Sequence, residues 1–205
     1  MMDKLTVANF KSMIDQALAD IKARADEFSA LDAVCGDGDH GTAIVEALTA
    51  IQGSASQGTE FKTMLMDMAM TSMSKSCGST STLIGSFFMG MSMSVAGEEL
   101  DSEQVKAMFK SGLEGVQKNT KAMPGDKTMM DTLVPAVEAF EKDTTDIKEL
   151  FDAAAEAAAK GAESTIEMKA GFGRARNLGE RSIGSADPGA TSWACMFNAF
   201  ASTLN

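Results

Sequence analysis

Tyrosine is absent from this chain of 205 residues, which has one tryptophan, one histidine and three prolines. Runs of β-branched residues are scarce, so little of the chain reads as strand. The three cysteines, Cys35, Cys77 and Cys195, form no CxxC pair, which suits reduced thiols in a cytoplasmic protein. Lysine and arginine number 18 against 29 aspartates and glutamates, and the net charge of −11 argues against a nucleic-acid partner. No apolar run approaches the ~20 residues of a membrane span, and the charged, amphipathic first residues are unlike a signal peptide. The expectation is a soluble cytoplasmic protein with no membrane partner. Neither a GxxxxGK(S/T) sequence nor a kinase HRD and DFG set is present, so any phosphate chemistry uses an unrelated arrangement.

What is there is helix. Seventeen methionines point to a helical, adaptable core, and Met64 to Met70 reads as core packing. Val7, Phe10, Ile14, Leu18 and Ile21 form a helical stripe within residues 5–28. Further helices are expected over residues 42–51, 61–74 and 83–95, where Gly85 and Gly90 permit close contact. A fifth begins near Val105, with Ser102 as its N-cap, and runs to about Asn119. The last three cover residues 129–140, 147–168 and 190–204. Pro135 should kink the sixth or shift its start, and Pro188 sits near the first turn of the eighth. The fold class is therefore all-α: one domain over residues 1–205, an eight-helix antiparallel up-and-down barrel or bundle.

The segment between the first two helices, residues 31–41, breaks from an apolar run into Asp37 and Asp39 alternating with Gly36, Gly38 and Gly41. Asp32 lies one turn upstream. Three carboxylates so close repel one another, and a hard divalent cation would relieve that repulsion. An EF-hand fails on spacing, because the fifth place is Gly41 and the twelfth Leu48. Either something besides protein completes a metal site here, or the segment is a solvated acidic turn.

In an up-and-down arrangement alternate links share an end. The acidic loop, Cys77-Gly-Ser-Thr-Ser-Thr82, Met123-Pro-Gly-Asp-Lys-Thr128 and the long Gly171–Gly189 loop then meet at one mouth, while bland polar turns occupy the other. That mouth holds three Asp, the hydroxyls of Ser79 and Thr80 at a helix start, Asp126 and Lys127, and Arg174, Arg176 and Arg181. Carboxylates holding metal opposite N–H groups and arginines suit a polyphosphate. His40 is either structural or a phosphate contact or carboxylate partner. Asp126 and Lys127 form either a helix-start cap with an exposed ion pair or part of the site. Of the three arginines at least one is a solvated loop charge, and Cys35 and Cys77 are packing residues.

Three motifs carry a family resemblance: GDGDHG over residues 36–41 with upstream Asp32, PGDKTMMD over 124–131, and GRARNLGERSIGSADPGATS over 173–192. They resemble the nucleotide-binding L subunit of dihydroxyacetone kinase, essentially end to end. The resemblance implies an eight-helix barrel holding ADP or ATP at one end through two Mg2+ ions, with Asp32, Asp37 and Asp39 as metal ligands. It implies nucleotide contacts from His40, Gly41, Thr42, Ala43, Ser79, Thr80, Gly125, Arg174, Asp187, Pro188 and Gly189. No catalytic residue is certain, and His40 and Arg174 are the candidates. It further implies transfer of the terminal phosphoryl group to a ketose held on a separate K-type subunit. Left open are recharging of ADP by a phosphohistidine M-type protein of the sugar phosphotransferase system, exchange of free ATP, and a homodimer.

The chain departs from the family at two places. Cys77 to Leu83 replaces the usual GGASGPL, and Ser185 stands where the family often has His. These changes suggest a divergent branch acting on another small ketone such as erythrulose. A fatty-acid-kinase-like nucleotide domain and a non-enzymatic regulatory adaptor are the alternative readings.

Overall fold

A computed structural model describes residues 1–75 and 78–204. Residues Ser76 and Cys77 of the hydroxyl-rich link lie outside the described residues. The elements are β1 (Leu5–Thr6), α1 (Val7–Ala23), α2 (Ala25–Cys35), α3 (His40–Ala55), α4 (Phe61–Lys75), α5 (Ser79–Ser92), β2 (Glu99–Leu100), α6 (Ser102–Gln117), α7 (Met130–Glu138), α8 (Ile147–Ser164) and α9 (Pro188–Ser202). Short 3-10 turns cover Ala139–Glu141 and Arg174–Ser182. No described helix is long and apolar enough to cross a membrane.

Nine α-helices, not eight, are present among the described residues, because the first expected helix is broken. At Arg24 the backbone leaves helical geometry (φ −112°, ψ 11°). Its guanidinium forks onto Glu27 at 2.8 and 2.7 Å and lies over the Phe28 ring at 5.2 Å. The break turns α2 across the start of α3, and Gly41 makes that crossing possible. A Cβ there would sit 2.0 Å from the carbonyl oxygen of Ala25. Because α2 continues α1, the chain still fills eight positions, and α1 packs on both α3 and α9 to close the ring.

The core is the interior of that ring. Phe10, Phe61, Phe87, Phe109, Phe151, Phe197 and Phe200 are almost fully buried, and Phe109 stacks on Phe140 with centroids 4.2 Å apart. Aromatic contacts of this kind add to the burial of area. The helix α5 contacts α6 backbone to backbone, since a Cβ at Gly90 would lie 2.2 Å from the carbonyl oxygen of Ser111. On α4 the methionine cluster divides. Met64 and Met68 are buried, whereas Met66 and Met70 are exposed, so the segment is core on one face alone.

Several boundaries move. The N-cap of α6 is Asp101, not Ser102: its carboxylate accepts the N–H of Gln104 and the Gln104 side chain returns the bond. Ser81 and Thr82 do not interrupt helix but begin it, with both hydroxyls donating to the Gly78 carbonyl. Helix α3 starts at His40 and runs through Gly53 and Ser54, which composition assigns to a linker. Pro135 lies inside α7, which gives way to a 3-10 turn four residues later.

At the base, the first residues cross the barrel as a strap. Leu5 pairs with Leu100, Ile147 N–H donates to the Met2 carbonyl, and Phe61 N–H donates to that of Gly97. The four unusual links are left for the opposite end. The Gly90→Val chain should lose about 1–3 kcal/mol of stability in urea unfolding, because the Ser111 backbone cannot retreat as a side chain would. Wild-type stability would show the α5–α6 contact to be dispensable.

Candidate functional site

The four links converge on a cleft of about 400 Å³ lined by Asp32, Asp37, Asp39, His40, Ala43, Gly78, Ser79, Thr80, Leu83, Thr128, Met129, Arg174, Asp187, Gly189 and Trp193. The expected gathering of those links at one mouth is what the structure has.

One wall is acidic. One oxygen from each of Asp32, Asp37 and Asp39 lies within 4.8 Å of the others. Asp32 is buried near the end of α2, and its carboxylate accepts the N–H groups of Gly38 (2.9 Å) and Asp39 (3.1 Å). It thereby ties the loop that presents the other two. The guanidinium of Arg174 pairs with Asp37 and approaches Asp32 at 3.9 Å. That hydrogen bond holds the Asp37 carboxyl below its usual range, while desolvation and then the neighbouring Asp37 push Asp39 up. Three hard oxygen donors from the end of α2 and the loop after it are the chemistry a magnesium ion takes, so the residues fit one.

Two helix starts share the cleft with them. The N-cap residues of these helices, Asp39 for α3 and Gly78 for α5, make no side-chain cap hydrogen bond. A helix start presents backbone N–H groups and the positive end of the helix dipole, which suit an anion. The imidazole of His40 joins three helices: one ring nitrogen is 2.9 Å from the Ser192 hydroxyl on α9, the other 3.5 Å from that of Thr80 on α5. Burial lowers its pKa, so it is a neutral bridge near pH 7 rather than a cation. The bridge ties the start of α3 to α5 and α9.

The third wall is Asp187 and the start of α9. Asp187 caps that helix by accepting the Ala190 N–H at 2.7 Å, and Pro188 takes the first helical position. Burial, opposed by the Ala190 N–H, pushes its carboxyl up to about 7. Behind it lies Lys127, 2% exposed, donating to the carbonyls of Thr165 and Ser185. Lys127 is thus no exposed partner of Asp126, whose carboxylate instead accepts the Met123 N–H at 2.8 Å. The pair is not a surface ion pair because the ammonium is turned inward.

Other expected residues divide. Ala43, Ser79, Thr80, Arg174, Asp187 and Gly189 line the cleft with His40, and Pro188 lines a smaller cavity behind it that Cys35 and Lys127 share. Gly41 instead faces α2, and Thr42 and Gly125 are exposed outside the lining. Arg176 and Arg181 are solvated loop charges. Leu83, Thr128, Met129 and Trp193 were not among the expected site residues. For Trp193 a signal existed: a lone tryptophan one residue beyond the last motif.

A model of the DAK2 domain matches residues 34–202. The chain is 40% identical over 173 residues to the ADP-binding subunit DhaL of the PEP-dependent dihydroxyacetone kinase of Escherichia coli K12, across 79% of this chain and 80% of that one. It is 37% identical over 177 residues to the DhaL subunit of PEP-dependent dihydroxyacetone kinase 1 of Listeria innocua, across 85% of each. The crystal structure of the dihydroxyacetone kinase from C. freundii in complex with AMP-PNP and Mg2+ shares the fold, with a TM-score of 0.74 at 24% identity. That likeness covers 100% of this chain and 35% of the other.

Since Asp187 ionises near 7 in the folded protein against 3.8 when free, the native state keeps a proton that the unfolded chain has released between those values. Its contribution to stability therefore falls as pH rises through that window and is level above it. Asparagine caps a helix as well as aspartate does. Asp187→Asn should flatten this decline in unfolding midpoints measured across the window, and an unaltered slope would mean that Asp187 is ionised throughout.

Proposed function

This chain belongs to the DAK2-domain family, and from that premise we propose that it is the nucleotide-binding subunit of a small-ketose kinase of the dihydroxyacetone kinase type. The observation that carries the reading is the cleft itself, in which three carboxylates adjoin the start of α3 and share one space with the start of α5. A cation and a diphosphate need opposite surroundings, and this cleft supplies both within one space.

Asp32, Asp37 and Asp39 would hold Mg2+, and two ions is the number that the resemblance to the dihydroxyacetone kinase L subunit implies. The N–H groups at the starts of α3 and α5, with the Ser79 and Thr80 hydroxyls, would take the phosphates. Leu83, Met129 and Trp193 give the cleft its apolar part. When bound, Mg2+ would neutralise phosphate charge and the nucleotide would carry the phosphoryl group to be transferred. The residues of this chain do the rest. Asp32 keeps the acidic loop folded through two N–H bonds, His40 ties the start of α3 to α5 and α9, and Asp187 holds α9 in place. Arg174, now on Asp37, is close enough to the same cleft to meet phosphate charge as the reaction proceeds.

The acceptor ketose would be held on a separate K-type subunit docking over the mouth. The relatives are named as ADP-binding subunits of PEP-dependent kinases, and a phosphohistidine M-type protein that recharges ADP is our reading of the donor. The free thiols of Cys35 and Cys195 fit a cytoplasmic setting.

Calorimetric titration of ADP tests this with wild type and Asp37→Ala, each with and without Mg2+. Wild type with Mg2+ should bind about 10–100-fold more tightly than the other three combinations. Equal affinity in all four would end the metal-bridged reading. Phosphoryl transfer to dihydroxyacetone should then appear only when a K-type subunit is added, and comparing ATP with a phosphohistidine protein identifies the donor.

A further inference from the structure

Lys127 has an unfavourable backbone and an unusual place. Its φ is +60°, and among the described residues it is the only non-glycine in the left-handed region. A side chain with a Cβ is disfavoured there, and Gly125 in the same loop shows what such positions ordinarily use. Lys127 is nevertheless buried, with its ammonium donating to the carbonyls of Thr165 and Ser185. Those carbonyls stand at the two ends of the connection between α8 and α9. A residue kept in a strained conformation calls for a reason in the surrounding structure.

The bonds around it supply one. The Asp187 N–H donates to the Thr165 hydroxyl at 2.9 Å, and Asp187 in turn caps α9. On the other side, the Asp131 carboxylate of α7 accepts the N–H groups of Gly125 and Thr128, which anchors the loop bearing Lys127. An unbroken path therefore runs from α7 through Lys127 to the start of α9. Thr128 and Met129 lie on one wall of the cleft, Asp187 and Gly189 on another. The ionisable groups facing the ammonium are Asp187, Asp131 and Cys35.

We propose that Lys127 is a positioning residue for nucleotide binding, whose buried ammonium draws the 123–128 loop and both ends of the 165–187 connection together and so sets the width of the cleft. The inference rests on the nucleotide reading of that cleft. Removing the ammonium leaves the Ser185 carbonyl without this donor and the Thr165 carbonyl with the Met168 N–H alone, and so loosens the tie between the two walls. Lysine is used in spite of its φ because a long chain ending in several donors reaches both carbonyls at once.

Lys127→Gly separates the two features, since glycine removes the ammonium and relieves the backbone; Lys127→Met keeps a four-atom apolar stem without the ammonium. In both variants without nucleotide, the amides of residues 183–190 should exchange hydrogen at least about tenfold faster, while α1 and α4 to α6 stay protected. Affinity for Mg-ADP should fall at least about tenfold. Propylammonium chloride should restore part of it to Lys127→Gly, where tetramethylammonium chloride at equal ionic strength does not. Unchanged affinity in Lys127→Gly would overturn the proposal, and so would faster exchange spread over all helices, which marks a general stabilising role. Should wild type itself fail to bind Mg-ADP, the nucleotide reading falls separately, and the exchange pattern alone then upholds or overturns the tie between the loops.

Discussion

Mutual repulsion among Asp32, Asp37 and Asp39 is the constraint to which the mouth of the barrel answers. Three carboxylates with oxygens within 4.8 Å would open an ordinary loop. Here the buried member is held by two backbone N–H groups and an outer one by Arg174. The charge is distributed over donors on separate elements, so the cluster persists only while those elements stay in place. Asp39 is also the N-cap residue of α3 and makes no side-chain cap hydrogen bond there. Negative charge and a helix start thus adjoin, an arrangement suited to a ligand that carries both signs, such as a metal–diphosphate.

Barrel closure is what brings distant residues to that mouth. Each helix packs on its neighbours in sequence, and α1 against α9 completes the ring. An antiparallel ring sends every second link to the same end. The strap formed by β1, β2 and Met2 occupies the far end, where its backbone bonds join three bland links. Structure at one end and chemistry at the other are thereby separated, which lets the mouth carry strained and charged residues without loosening the core.

Much of this was legible in the sequence, for reasons that particular residues make plain. Helical periodicity marks the elements because apolar faces recur as the ring requires, and link parity then gathers the charged loops without any coordinates. Three features were hidden. Arg24 breaks a stripe that continues to Phe28 with no glycine or proline to announce it; a local guanidinium fork to Glu27 accompanies the break, and the crossing at Gly41 that decides the matter is tertiary. Glycines in the motifs read alike, yet Gly41 serves helix crossing whereas Gly189 lines the cleft. Lys127 stands beside an aspartate in a polar loop, which reads as a surface pair, and only the inward turn of that loop buries it.

His40, Asp187 and Lys127 share a further property: each joins elements far apart in sequence around the cleft, and none belongs to the acidic cluster. The geometry of the mouth therefore depends on neutral and internally satisfied contacts as much as on the carboxylates. The most direct measurement of the central claim is a crystal structure of the chain grown with Mg2+ and ADP. The expected result has Mg2+ about 2.1 Å from oxygens of Asp32, Asp37 and Asp39, with the diphosphate on the starts of α3 and α5 and Arg174 moved off Asp37. ADP bound elsewhere, with Arg174 still paired to Asp37 and no cation between the carboxylates, would contradict it.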